Sequence, residues 1–91
     1  PHMGWNQIRL NKPSAILKDV KESDYFYFVH SFYVEDSTTL SAHVTSFSHY
    51  GNSFVASIQK DNIFATQFHP EKSGIKGLSI LRNFISFCDE N

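Results

Sequence analysis

The sequence predicts a small α/β unit in which strands come first and one amphipathic helix comes last. Three observations carry this. Short apolar and aromatic runs separated by turn residues fill residues 1–68. Residues 76–88 place Leu78, Leu81, Ile85 and Cys88 three and four apart, as one helical stripe. Between them lies Gln67-Phe68-His69-Pro70-Glu71-Lys72-Ser73, where a strand runs out just before the helix. α/β folds place their chemistry at such carboxyl ends of strands.

The elements follow in order. Residues 5–10 alternate imperfectly at Trp5, Ile8 and Leu10 and are expected to form a short strand. Residues 11–14 break it at Pro13, and Ser14 is placed to cap a helical turn over residues 15–20. Residues 21–24 are a polar loop. Residues 25–33 read as a long strand, and the apolar run Tyr25-Phe26-Tyr27-Phe28-Val29 implies burial on both faces. A turn is expected over residues 35–39, a strand over 42–47 and a turn over 49–52, around Gly51. Residues 54–59 and 63–68 flank Lys60-Asp61-Asn62 as a hairpin. The second of these strands is apolar on both faces, so it is expected inside a sheet, beside parallel neighbours supplied from outside residues 1–91. Gly74 and Gly77 bracket the entry to the helix, whose stripe should cover the sheet with Cys88 packed in it.

A chain of 91 residues makes at most one small domain. Its 8 Lys+Arg against 9 Asp+Glu leave no basic stripe, so no nucleic acid or anionic membrane is expected as partner. No apolar run approaches the length of a membrane span. No secretory leader pattern is visible at the start. One cysteine, Cys88, allows no internal disulfide and fits a reducing, cytoplasmic setting. Nine Phe, four Tyr and one Trp are much aromatic surface for a short chain, which implies a core shared with another element. Residue 1 is Pro1 and not Met, which points to a fragment. Five histidines invite a metal reading, but none pairs at helical spacing or with cysteine, so no metal and no cofactor are expected.

His69 and Glu71 are the candidate catalytic residues. Pro70 disfavours the helical region for His69, so the segment is expected to be extended. Side chains two apart in an extended chain share a face. An imidazole beside a carboxylate is a base with its orienting acid, which is part of a nucleophile–histidine–carboxylate constellation. The bland alternative is a loop histidine beside a solvated glutamate. Cys88 is not taken as the nucleophile, because the helix stripe explains it.

The stretch Ala65-Thr66-Gln67-Phe68-His69-Pro70-Glu71-Lys72-Ser73-Gly74 resembles the C-terminal signature of class I, or triad, glutamine amidotransferases. Pro1-His2-Met3-Gly4-Trp5-Asn6, Tyr27-Phe28-Val29-His30-Ser31-Phe32-Tyr33 and Tyr50-Gly51 with Phe54-Val55-Ala56-Ser57-Ile58 resemble the histidine-biosynthesis branch, the amidotransferase subunit of imidazole glycerol phosphate synthase. The motifs occur in that family's order. The resemblance implies the C-terminal part of a flavodoxin-like amidotransferase domain, mostly strands followed by one terminal helix, with the N-terminal half and its nucleophilic cysteine absent from residues 1–91.

The rest of the site follows from the resemblance alone. His69 would move protons for a cysteine thiolate that attacks the glutamine amide, and Glu71 would hold its tautomer. Ser31 and the backbone of Phe32 would bind the amino-acid end of glutamine; many relatives carry tyrosine at the position of Phe32. Trp5, Tyr27, His30 and Lys72 would face a partner, a cyclase (β/α)₈ barrel, separate or fused, that consumes the ammonia. The chain itself is expected to be inactive without the thiolate. Two alternatives remain: a paralogous amidotransferase feeding another ammonia acceptor, and a non-catalytic docking scaffold.

Overall fold

The computed structural model describes residues 2–30 and 40–90. Among the described residues it is a small α/β fold, with six strands followed by one terminal helix. Strands β1 (His2–Gln7) and β3 (Tyr25–His30) form one antiparallel pair. Strands β2 (Arg9–Leu10), β4 (Val44–Tyr50), β5 (Asn52–Lys60) and β6 (Ile63–Thr66) form a second sheet in the order β2-β4-β5-β6, also antiparallel throughout. No described helix is long and apolar enough to cross a membrane.

The expected first strand starts three residues earlier and is divided at Ile8. This side chain is buried in the core, and the chain passes there from the first sheet to the second. Polar bonds fasten the handover: Asn6 Nδ2 donates to the His49 carbonyl at 2.8 Å and Ser48 Oγ donates to the Gln7 carbonyl at 2.7 Å. Ser14 does precede a short 3₁₀ turn, Ala15–Leu17, but its hydroxyl makes no cap. It donates instead to Gln59 Oε1 at 2.7 Å, and that oxygen also accepts the Ala15 N–H. The side-chain amide of β5 therefore replaces the cap.

β3 alternates where burial on both faces was expected. Phe26 and Phe28 are fully buried, whereas Tyr25 is 53 % exposed. The apolar run concealed the period because tyrosine serves on a wet face as well as a dry one. Residues 42 and 43 of the next expected strand belong to a 3₁₀ turn (Ser41–His43), and β4 continues to Tyr50 instead. The turn is compressed onto Gly51, whose φ of +76° few other residues adopt. The hairpin at residues 61–62 is as expected, with Lys60 opposite Ile63 and Asp61 at a positive φ.

β6 stops at Thr66 and stands at the edge of its sheet, with Ile63 62 % exposed. The described residues supply no second neighbour for it; the parallel neighbours expected of it would come from outside residues 1–91.

The helix α1 (Gly74–Glu90) is longer than expected and turned differently. Gly77 and Ile80 are its buried residues, and Phe84 and Phe87 meet Phe64 of β6 edge-on at 5.7 and 5.1 Å. Leu78, Leu81 and Ile85 are exposed, and so is Cys88. The helix carries two interleaved apolar stripes, and periodicity cannot choose between them. Close approach decides: a Cβ on Gly77 would lie 2.0 Å from the Pro70 carbonyl oxygen, so only the glycine side can face that turn. The core unites Ile8, Ile16, Phe26, Phe28, Phe54, Phe68 and Ile80 from both sheets and the helix.

Candidate functional site

The segment after β6 crosses from one sheet to the other. The Gln67 N–H donates to the Ala56 carbonyl of β5 at 2.8 Å, and the His69 N–H donates to the Tyr27 carbonyl of β3 at 2.9 Å. Between these bonds Phe68 is buried, 4.7 Å from the Phe26 ring and 5.8 Å from that of Phe28. A buried aromatic flanked by two sheet bonds leaves His69 little choice of position.

His69 is extended, with φ −103° and ψ 99°, as a residue before proline should be. Glu71 is not extended. Pro70–Lys72 form a 3₁₀ turn with the proline at its start, where a fixed φ and a missing N–H are least costly. The turn and not a strand therefore brings Glu71 back to His69. The pair forms nonetheless: His69 Nδ1 lies 3.0 Å from Glu71 Oε2. An ionised carboxylate only accepts, so Nδ1 carries the hydrogen and Nε2 is the free nitrogen of the neutral ring. The hydrogen bond from His69 holds the Glu71 carboxyl below its ordinary range, helped next by the Glu71 backbone N–H.

The pair lies open. His69 is 37 % exposed and Glu71 58 %. A cavity of about 630 Å³ is lined by Leu10, Lys12, Pro13, Leu17 and Gln59 among others, none of them a candidate residue. Among the described residues no three His, Cys, Asp or Glu side chains come together as metal ligands do.

The candidate partner residues divide. Trp5 and Tyr27 are opposite each other in the β1–β3 register, their rings edge-on at 5.7 Å, with Trp5 54 % exposed. Tyr27 touches the site through its carbonyl, and Lys72 is exposed in the same turn as Glu71. His30 lies on the other face of β3, with its ring 3.2 Å from His2 and 5.2 Å from the Phe54 centroid. The structure does not bring it together with Trp5 and Tyr27. Ser31 and Phe32 lie outside the described residues.

Two residues to which the sequence assigned no role in the site shape it. Ser73 is buried, and its hydroxyl joins His69 to β3. Gly77 admits the helix against the Pro70 turn. A glycine inside an otherwise helical pattern costs stability and signals a packing reason, which was the available clue. Ser73 lies within the Gln67–Ser73 segment, but nothing in the sequence gave its hydroxyl a role.

Residues 1–87 match the family described as glutamine amidotransferase class-I. The subunit HisH of imidazole glycerol phosphate synthase from Methanothermobacter thermautotrophicus is 52 % identical over 85 residues, covering 93 % of this chain and 41 % of the relative. That from Methanocaldococcus jannaschii is 46 % identical over 85 residues, covering 93 % of this chain and 42 % of the relative. HisH 1 from Campylobacter jejuni is 51 % identical over 85 residues, covering 93 % of this chain and 41 % of the relative. The chain thus spans about two-fifths of the length of these curated relatives. The match over residues 1–87, on a chain that presents a histidine–glutamate pair just before its terminal helix, shows that it belongs to the class-I glutamine amidotransferase family.

Proposed function

We propose that these residues are the base-bearing, C-terminal portion of a glutaminase that supplies ammonia to the cyclase of imidazole glycerol phosphate synthase. The observation that carries the reading is the Nδ1 bond to Glu71 at 3.0 Å, which leaves Nε2 free and turned from its orienting acid. A base held this way can take the proton of a thiol and later deliver one to a departing amine. The thiol belongs to a cysteine outside residues 1–91, on the N-terminal part of the same domain, and completes a catalytic triad. Its thiolate attacks the side-chain amide carbon of glutamine, ammonia leaves with the proton from His69, and water activated by His69 releases glutamate from the thioester. Ser31 and the Phe32 backbone hold the amino-acid end of the substrate. The one thiol of residues 1–91, Cys88, lies near the far end of α1 from His69, so residues 1–91 alone lack a nucleophile for this step and are inactive. The protein works in the cytoplasm.

The partner is a (β/α)₈ cyclase barrel, seated on the exposed face of β1 and β3. Met3 is 73 % exposed there, beside Trp5 and Tyr25, an apolar surface of the kind that marks interfaces. Lys72 lies one residue from Glu71, so a partner that touches it also touches the geometry of the pair. The test is ammonia release from glutamine by the full-length protein, with and without the barrel and its ligand. Basal turnover stimulated by the barrel is expected. Lys72→Ala should weaken the stimulation more than the basal rate; equal losses would remove Lys72 from the interface.

A further inference from the structure

We propose that Ser73 is a positioning residue: its hydroxyl fixes the peptide groups of His69 to β3 and so aims the imidazole. The kinetic half of this inference rests on the glutaminase reading above; the geometric half does not.

The Ser73 hydroxyl accepts the Tyr27 N–H at 2.9 Å and donates to the His69 carbonyl at 2.6 Å. The His69 N–H donates to the Tyr27 carbonyl at 2.9 Å. Both peptide groups of one β3 residue thus reach His69, one directly and the other through Ser73. The result is a closed ring of hydrogen bonds around a single backbone position. Neither hydroxyl bond is spent on the helix that begins at the next residue. Ser73 is 2 % exposed, so water has little access to replace it.

The helix holds Ser73 in turn. The Gly77 N–H donates to the Ser73 carbonyl at 3.2 Å, and a Cβ on Gly77 would stand 2.7 Å from the Ser73 Cβ. The chain therefore carries a continuous support: α1 places Ser73, Ser73 and Tyr27 place His69, and Glu71 sets the tautomer. Without the hydroxyl, the His69 carbonyl loses its tie to β3, and the turn that carries Glu71 swings with it. The imidazole would then reach both tautomers, and Nε2 would miss the thiol. A displacement of about 1 Å at a reacting group can cost on the order of 10²-fold in rate.

The experiment uses the full-length protein and the variants Ser73→Ala and Ser73→Thr. Ring ¹⁵N shifts of His69, read at a pH where the ring is neutral, report the tautomer; glutamine hydrolysis reports kcat and KM. Ser73→Ala should lower kcat about ten- to hundredfold with KM within about twofold, and should mix the tautomers. Ser73→Thr keeps the hydroxyl and should restore both. If the threonine methyl prevents folding, Ser73→Cys replaces it; its weak S–H donor should leave both readouts between serine and alanine. A single Nδ1–H tautomer and an unchanged kcat in Ser73→Ala, with only the melting temperature lowered, would reduce Ser73 to a structural role. Should the unsubstituted protein fail to hydrolyse glutamine, the glutaminase reading falls, and the tautomer measurement still decides the positioning role.

Discussion

Two histidine pairs in this chain are built in opposite ways. At one end of the β1–β3 ladder, His2 lies between rings, 4.8 Å from Phe28 and 4.3 Å from Tyr50, with Nδ1 3.2 Å from His30 Nε2. It is 5 % exposed, and burial first, then the neighbouring His30, push its pKa down. His69 meets a carboxylate instead of a second imidazole and keeps more than a third of its side chain open. Aromatic walls and a like partner make a neutral ring that packs. A carboxylate and an open nitrogen suit the role of base proposed for His69. Residue type alone does not separate these outcomes; the partner and the burial do.

The largest effects should come from exchanging the readouts of the two pairs. His69→Ala in the full-length protein should lower glutamine turnover by roughly 10²–10⁴ and leave the unfolding midpoint little changed. Glu71→Ala should cost less, since it orients the base without transferring the proton. His2→Ala should do the reverse, costing about 2–3 kcal/mol of stability through the lost stacked ring while turnover stays within a few-fold. Turnover abolished by His2→Ala at unchanged stability would erase the distinction.

A smaller effect is expected where the helix meets the site. Gly77→Ala gains about 1 kcal/mol of helix propensity. It also places a methyl 2.0 Å from the Pro70 carbonyl oxygen, a backbone atom that cannot rotate away. Overpacking of this kind costs about 1–3 kcal/mol, so a net destabilisation is expected, together with a loss of turnover through the displaced Glu71 turn. A Gly77→Ala protein more stable than its parent by thermal unfolding would show that the helix is not held at this distance.

The smallest effect separates the pairs by pH. His2 has a lowered pKa when folded, so the unfolded chain takes up its proton first on acidification. Its stabilisation is complete above the ordinary histidine range and is lost as pH falls through that range toward the lowered value. Glu71 also has a lowered pKa, from the His69 bond. Its contribution is complete above the ordinary glutamate range and is lost only as pH falls through the depressed value. A histidine and carboxylate NMR titration should therefore see the His2 ring protonate below the ordinary histidine range and Glu71 below the ordinary glutamate range. A His2 ring that protonates within or above the ordinary histidine range would contradict its burial.

Much of the site was legible because it is local. Pro70 between His69 and Glu71 restricts the backbone strongly enough that the pair could be read from three residues, although a 3₁₀ turn and not an extended chain closes it. The hairpin at residues 61–62 was legible for the same reason. What failed depends on distance. The phase of α1 is set by the approach of Gly77 to Pro70, the division of the first strand by the burial of Ile8, and the redirection of the Ser14 hydroxyl by Gln59, 45 residues away. The role of Ser73 was invisible because its partners are His69, four residues before it, and the distant Tyr27, and no pattern in the sequence joins all three.

Ammonia release at saturating glutamine, by the 91-residue chain alone and mixed with the upstream portion of a full-length relative supplied as a second chain, tests whether His69 is the base of a site completed from outside these residues. No turnover is expected from the chain alone. Turnover should appear in the mixture and should be lost when the chain carries His69→Ala. Hydrolysis by the 91 residues alone, or undiminished hydrolysis by the mixture with His69→Ala, would mean that the nucleophile or the base lies elsewhere.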